Sequence, residues 1–259
     1  MRESKAVGII PARWGSTRFP GKPLHPIAGK PLLQRVWECA LRAKELDAVI
    51  IATDDMRIAE AAFSWGAEIA LTSSKHRSGT DRLAEVAAHA ESWPLLLNIQ
   101  GDEPMTDPRL IDRLVRALRA EPEVEMITAA HPFENADDVA SSHQVKVVLD
   151  RESYALYFSR SAIPFVRGDG TPPRFLRHQG IYGYRRDLLL RFVKWKPASL
   201  ERAESLEQLR ALENGVRIKV IVTAGGSPGV DVPADVEVME RLLLTRRQNR
   251  VSRRQSHSA

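Results

Sequence analysis

The chain of 259 residues has one cysteine, Cys39, which excludes an intrachain disulfide and any multi-cysteine metal site. Cys39 falls in a helical pattern and reads as a core residue. No apolar run approaches the ~18 residues that a membrane helix needs. The first apolar run, residues 6–10, is too short for a signal-peptide core, and Pro-Ala-Arg follows it directly, so a cytoplasmic protein is expected. No G-x-G-x-x-G dinucleotide fingerprint occurs. A phosphate-binding Walker A loop is also missing: five residues separate Gly15 from Gly21, and Pro23 follows Lys22, where that loop needs four and then Ser or Thr. There is no internal repeat and no long linker.

What the chain does have is enough apolar sequence for a packed core, 43%, with 27% charged residues. The length suits one large α/β domain or two small ones, and one domain with a β-rich insertion fits the pattern better. The net charge of +5 is local to one place. The tail "TRRQNRVSRRQSHSA", residues 245–259, holds five arginines and no acid, and the rest of the chain is neutral. That tail lacks an apolar face and is expected to be disordered. A polyanion-binding tail is the alternative; nucleic acid is not the expected partner of the rest. The expected division is therefore a single domain over residues 1–244 and a basic tail over 245–259.

Strand and helix patterns alternate through the first half. Strands read from "AVGII", "AVIIAT", "AEIALT", "LLLNI" and "EMITAA", with one amphipathic helix between successive strands. Such alternation implies βαβ units and a mostly parallel sheet. "VKVVLD", "YALYFSR" and "GIYGY" in the second half are Val- and Tyr-rich and read as a β-rich insertion. One helix is expected over "SLERAESLEQLRALENG", residues 199–215, with Gly215 as its cap. Strand "RIKVIVT" and helix "ADVEVMERLLL" complete the domain.

Ligands of parallel sheets sit outside the carboxyl ends of the strands. At the first such end lies "IIPARWGSTRFPGKPL", residues 9–24. It carries Arg13, Arg18 and Lys22, Gly15 and Gly21, Ser16 and Thr17, and no acid. Cations and close-approaching backbone suit a multiply charged anion; a solvated basic loop is the plain alternative. At another strand end stands "NIQGDEP", with Asp102. A carboxylate beside a polyphosphate is repulsive unless a divalent cation lies between them, and Mg²⁺ is held by one or two carboxylates plus phosphate oxygens. The two segments together predict a Mg-nucleotide site. Asp231 in "GVDVP" reads either as a second metal ligand or as the cap region of the next helix.

Seven segments, in order, resemble the 3-deoxy-manno-octulosonate (KDO) cytidylyltransferase family, also called CMP-KDO synthetases. They are "IIPARWGSTRFPGKPL", "IATDD", "HRSGTDRLAEV", "NIQGDEPM", "VKVVLDRESYALYFSRSAIPF", "FLRHQGIYGYRRDLL" and "LEQLRALENGVRIKV". The resemblance implies a three-layer, Rossmann-like nucleotide-sugar transferase fold. It also implies a cytoplasmic homodimer and Mg²⁺-dependent transfer of CMP from CTP to KDO, with release of pyrophosphate. It makes Arg13, Arg18 and Lys22 triphosphate-binding, Lys22 and Arg18 catalytic as well, and Asp102 and Asp231 catalytic metal ligands. Ser78, Gly79, Thr80 and Arg82 resemble the cytidine pocket, and Gln100 lies near nucleotide and sugar. Arg160, His178, Tyr182, Glu207 and Gln208 resemble the sugar-acid pocket, with Arg160 a candidate carboxylate clamp. From the residues alone, His178 is equally a core histidine and Glu207 a polar helix face. His178 and Tyr182, four apart on a strand, are expected to share a face. The chain departs from the family pattern at "SSHQ", at Trp14 and in the lead-in to Asp231, so a related acidic sugar such as 8-amino-KDO stays open as substrate.

Overall fold

A computed structural model describes residues 4–15, 18–89, 91–168 and 174–255. Ser16 and Thr17, and the last four residues of the tail, lie outside the described residues. In chain order the first half runs β1 (Ala6–Ala12), β2 (Pro26–Ile27), β3 (Lys30–Pro31), α1 (Leu32–Ala40), β4 (Ala48–Thr53), α2 (Met56–Ser64), β5 (Glu68–Leu71), α3 (Gly79–His89), β6 (Leu95–Asn98), α4 (Pro108–Ala120) and β7 (Met126–Pro132). The second half runs β8 (Lys146–Leu149), β9 (Ala155–Ser159), β10 (Leu176–Arg185), α5 (Arg186–Phe192), α6 (Ser199–Glu204), α7 (Gln208–Glu213), β11 (Ile218–Val222) and α8 (Ala234–Gln255).

The main sheet has the order β11-β7-β10-β6-β1-β4-β5. Four of its contacts, β1 with β4 and β6, β4 with β5, and β7 with β11, are parallel. β10 runs antiparallel to both β6 and β7. The mixed α/β architecture with a mostly parallel sheet is the one the alternation predicts. β6 is buried throughout and β1 nearly so, as strands covered on both faces must be. One core cluster joins α1, α2 and α4 to one face of the sheet, and a second joins α3, α5 and α7 to the other. The chain moves outward from β1 to β4 and β5, then returns to β6 on the opposite side of β1. That reversal opens a crevice beyond the carboxyl ends of β1 and β6.

Local chemistry sets the helix starts. Asp55 and Asp107 each accept a backbone N–H two residues on, at 3.0 Å, and so cap α2 and α4. Ser78 and Asp81 bond reciprocally, at 3.1 and 3.2 Å, at the start of α3, the arrangement of a capping box. β8 and β9 form an antiparallel hairpin joined to the sheet through β10. Its anchor is Lys146, fully buried, which donates to the carbonyls of Ser141, Gln144 and Arg160.

One expectation needs correction. The helix read over residues 199–215 is two helices, broken at Ser205, whose φ of 51° is left-handed. The cause is Arg160: its guanidinium takes the carbonyls of Glu204 at 2.7 Å and Ser205 at 3.3 Å, so a cation closes the carboxyl end of α6. α8 runs through Leu244 to Gln255. Extending an existing helix costs far less than starting one, and Arg and Gln are good helix formers.

Candidate active site

Two segments distant in sequence are brought together by a small apolar cluster. Phe19, Ile27, Leu32, Val230 and Met239 pack as one buried group. Phe19 neighbours Arg18, and Val230 neighbours Asp231, so this packing brings the basic loop against the second acidic segment. The backbone completes the join: Val230 N donates to Asp102 O at 2.9 Å, and Lys22 Nζ donates to Val230 O at 2.9 Å.

The Lys22 ammonium then lies between the two carboxylates, 2.7 Å from Asp102 Oδ2 and 3.7 Å from Asp231 Oδ1. Arg18 approaches Asp231 Oδ1 from outside, at 3.1 Å. Asp102 and Asp231 therefore converge on one cation, as a shared ion site requires. The cap-region reading of Asp231 belongs to its neighbour: Asp235 accepts the N–H groups of Asp231 and Val232, at 2.7 and 2.9 Å, which leaves the Asp231 carboxylate facing the cations. Gly21 holds φ at 69°, and a Cβ there would meet the Trp14 ring at 3.1 Å. Trp14 thus packs across the turn that delivers Lys22, with Arg57 stacked on its ring at 3.7 Å. A Cβ at Gly101 would lie 2.9 Å from the Pro11 carbonyl oxygen, so only glycine lets the loop bearing Asp102 pass so close to β1.

Arg13, Arg18, Lys22 and Asp102 line a cavity of about 300 Å³ together with Ser78, Gly79, Arg82 and Gln100. The anticipated nucleotide residues thus meet in one place, Thr80 excepted. Thr80 is buried and gives its hydroxyl to Glu207 Oε2 at 2.5 Å. Arg82 is 4% exposed, held by Asp54 at 2.8 Å and by Thr72, so it forms a fixed wall. His76, not anticipated, also lines this cavity and is bound to Glu85.

A second cavity, of about 160 Å³, lies on the other side of Asp102. Asp102, Glu103, Asp231, His131, Arg177 and His178 border it. Gln100 spans the two sides, donating to Gly180 O at 2.8 Å. Burial, reinforced by the negative charge of Asp102, raises the Glu103 carboxyl to a pKa of about 8. Burial lowers His178 to about 3, so its ring is neutral, with Nε2 3.0 Å from Thr128 Oγ1. His178 and Tyr182 do share a face, with ring centroids 5.3 Å apart. A bulge between Gln179 and Tyr182 sets two residues, Gly180 and Ile181, outside the register, which preserves the alternation.

The remaining anticipated sugar residues stand elsewhere. Arg160 lines neither cavity; besides Glu204 and Ser205 it donates to Ser142 O at 3.0 Å. Glu207, bonded to Thr80 and 3.5 Å from Arg210, has its pKa raised by burial. Gln208 is buried, and its Nε2 has no hydrogen-bond partner among the described residues. Glu103 and Arg177 were legible only as neighbours of singled-out residues, in "GDEP" and "FLRHQG".

The cytidylyltransferase family model matches residues 7–218. The 3-deoxy-manno-octulosonate cytidylyltransferase of Geobacter sulfurreducens is 49% identical over 245 residues, covering 90% of this chain and 98% of that one. The protein of the same name from Pseudomonas syringae pv. syringae is 49% identical, with coverage of 91% and 96%. Among solved structures, a CMP:2-keto-3-deoxy-manno-octonic acid synthetase complexed with CTP superposes with a TM-score of 0.90 at 43% identity, covering 94% of this chain and all of that one. A 4-diphosphocytidyl-2C-methyl-D-erythritol synthase from Anaerococcus prevotii, 16% identical with a TM-score of 0.62 over 93% of this chain and 96% of that one, shares the fold. With its basic loop, its paired carboxylates and this depth of identity across nearly its whole length, the chain belongs to the 3-deoxy-manno-octulosonate cytidylyltransferase family.

Proposed function

We propose that the protein transfers CMP from CTP to the anomeric hydroxyl of KDO, giving CMP-KDO and pyrophosphate, an activated sugar for lipopolysaccharide. The observation that carries this reading is the position of Asp102. It borders both cavities and meets Asp231 at a single ammonium. A nucleotide in the cationic cavity and a sugar in the other would meet at that carboxylate.

In the reaction, a bond forms between the sugar oxygen and the α-phosphorus, the bond from that phosphorus to the bridging oxygen breaks, and the hydroxyl proton passes to solvent. Arg13, Arg18 and Lys22 bind the triphosphate, and Lys22 with Arg18 meets the charge that develops on pyrophosphate. Ser78 and Gly79 line the nucleoside end, with Arg82 as the rigid wall behind them. Gln100, fixed to Gly180, keeps the two halves in register, and alignment of this kind supplies a large part of the rate. His178 borders the sugar side, with Tyr182 on the same face of β10.

The donor set fits Mg²⁺: two hard carboxylates around a position where a cation, the Lys22 ammonium, is already stable, with phosphates to complete the shell. Asp102 and Asp231 would hold it, and when bound it supplies charge neutralisation at the phosphates and lowers the pKa of the attacking hydroxyl. Among the described residues no helix is long and apolar enough to cross a membrane, which accords with work in the cytoplasm. The β8–β9 hairpin, with Leu156 62% exposed and Phe165 beyond it 88% exposed, supplies the homodimer contact.

The test is pyrophosphate release with CTP against the other nucleoside triphosphates, crossed with KDO and 8-amino-KDO, with and without Mg²⁺. Release with CTP and KDO that requires a divalent ion is expected. Release only with another nucleotide or only with the amino sugar would replace the reading.

A further inference from the structure

Trp14 stands at both ends of the basic loop. Its carbonyl accepts the Gly21 N–H at 3.4 Å, and a Cβ on Gly21 would meet its ring at 3.1 Å. The next residue is Lys22, whose ammonium reaches Asp102 at 2.7 Å. Trp14 packs against the core on the α1, α2 and α4 side of the sheet. Over its ring lies the Arg57 guanidinium, 3.7 Å from the centroid. Arg57 is itself held. Its Nε and Nη2 donate to the two oxygens of Asp55 at 2.9 and 2.6 Å. Asp55 is fixed in turn as the cap of α2, accepting the Arg57 N–H at 3.0 Å. A guanidinium whose fork rests on a carboxylate keeps its plane available for stacking. At 58% exposure this ion pair adds little stability; what it supplies is orientation.

The preceding acid serves the other half of the same cavity. Asp54 holds Arg82, the wall behind the nucleoside end, at 2.8 Å. Two consecutive carboxylates at the end of β4 thus fix the nucleotide cavity from two directions, Asp54 directly and Asp55 through Arg57 and Trp14. Among the described residues that line that cavity, neither Trp14 nor Arg57 appears. Arg13, Arg18 and Lys22 stand within ten residues, and like charges so close repel one another. A loop that keeps them converged before an anion arrives needs anchors, and such preorganisation lowers the cost of binding. Phe19 supplies one anchor in the apolar cluster with Val230 and Met239. Trp14 supplies the other, at the base of the loop. We propose that Arg57 is a positioning residue for the triphosphate: locked by Asp55, it clamps Trp14 and so holds the turn that delivers Lys22, without touching the nucleotide. The assignment rests on the cytidylyltransferase reading above.

KM for CTP and for KDO, measured by pyrophosphate release in Arg57→Ala, Trp14→Ala, the double variant and Asp55→Asn, tests it. Arg57→Ala should raise KM for CTP about three- to tenfold, as loss of a stacked cation allows, and leave KM for KDO unchanged. Trp14→Ala should raise KM for CTP at least as much. The double variant should match Trp14→Ala to within about twofold, because Arg57 acts only through the ring. Asp55→Asn keeps a capping side chain but releases the guanidinium, and KM for CTP should rise at least about twofold by loss of the same stacking. A cation that bound the triphosphate itself would do the opposite. Losing the neighbouring acid would lower KM for CTP, and the two single losses would multiply in the double variant. Either result overturns the proposal. So does an Arg57→Ala enzyme whose KM for CTP is unchanged, or whose KM values for both substrates rise together. Should Trp14→Ala not fold, Trp14→Leu takes its place in the cycle. Wild type that releases no pyrophosphate from CTP and KDO would overturn the functional reading itself; an active wild type with additive variants overturns only the role of Arg57.

Discussion

Asp102 and His178 show how burial and charge act on single residues. Asp102 makes its contact to Lys22 at 2.7 Å and borders both cavities, so Asp102→Asn removes a preorganised charge at the reacting centre. Its kcat should fall on the order of a hundredfold or more while the far-ultraviolet circular dichroism stays unchanged; near-normal turnover would remove Asp102 from the chemistry. His178 gives a pH prediction. Burial lowers its pKa from 6.5 to about 3, so between those values the unfolded chain binds a proton that the native ring refuses. Stability therefore rises with pH through that window and is lost on acidification, at up to about 1.4 kcal/mol per pH unit. Urea unfolding at several pH values between 4 and 6, repeated with His178→Asn, checks it: the variant should show a shallower slope.

At the level of elements, the joints matter more than the strands. The basic loop, the Asp231 segment and α8 meet in a cluster of five buried apolar side chains. Met239 is 1% exposed there and lies outside the charged site. Met239→Ala should cost roughly 2–5 kcal/mol in denaturant unfolding, and it should also raise KM for CTP, because Phe19 and Val230 lose the packing that sets Arg18 against Asp231. A stability loss with unchanged CTP kinetics would show that the loop holds its place without the cluster. The split of α6 from α7 is a similar case. The helical periodicity of residues 199–215 is real, yet Arg160, some forty residues earlier, takes the carbonyls that a continuous helix would need.

For the molecule as a whole, charge and assembly are the open quantities. The positive excess is confined to the last fifteen residues, and among the described side chains of α8, Val236, Met239 and Leu243 pack in the cluster beneath it. Removal of residues 246–259 should leave kcat/KM for CTP and KDO within about twofold and abolish any salt-dependent affinity for polyanions. A large loss of activity would assign the extension of α8 to the catalytic unit. Phe165, 88% exposed, and Leu156 should be covered in the proposed dimer. Phe165→Glu should then shift the mass measured by light scattering from two chains toward one, whereas an unchanged mass would place the contact elsewhere.

The alternation of apolar runs with amphipathic helices was enough to derive a mostly parallel α/β sheet, because period and length are local properties that burial on two faces imposes strand by strand. The cationic loop was legible too, since Arg13, Arg18 and Lys22 stand within ten residues at a strand end. Tertiary structure alone decided which acid meets which base. Asp102 and Asp231 are far apart in the chain, and they share one ammonium because Val230 is buried against Phe19 and hydrogen-bonded to Asp102. It also decided that Arg160 meets the end of a helix while Arg177, beside the singled-out His178, borders the cavity beyond Asp102. A side chain's residue type sets what it can bind, but only the packed backbone determines which of its partners are within reach.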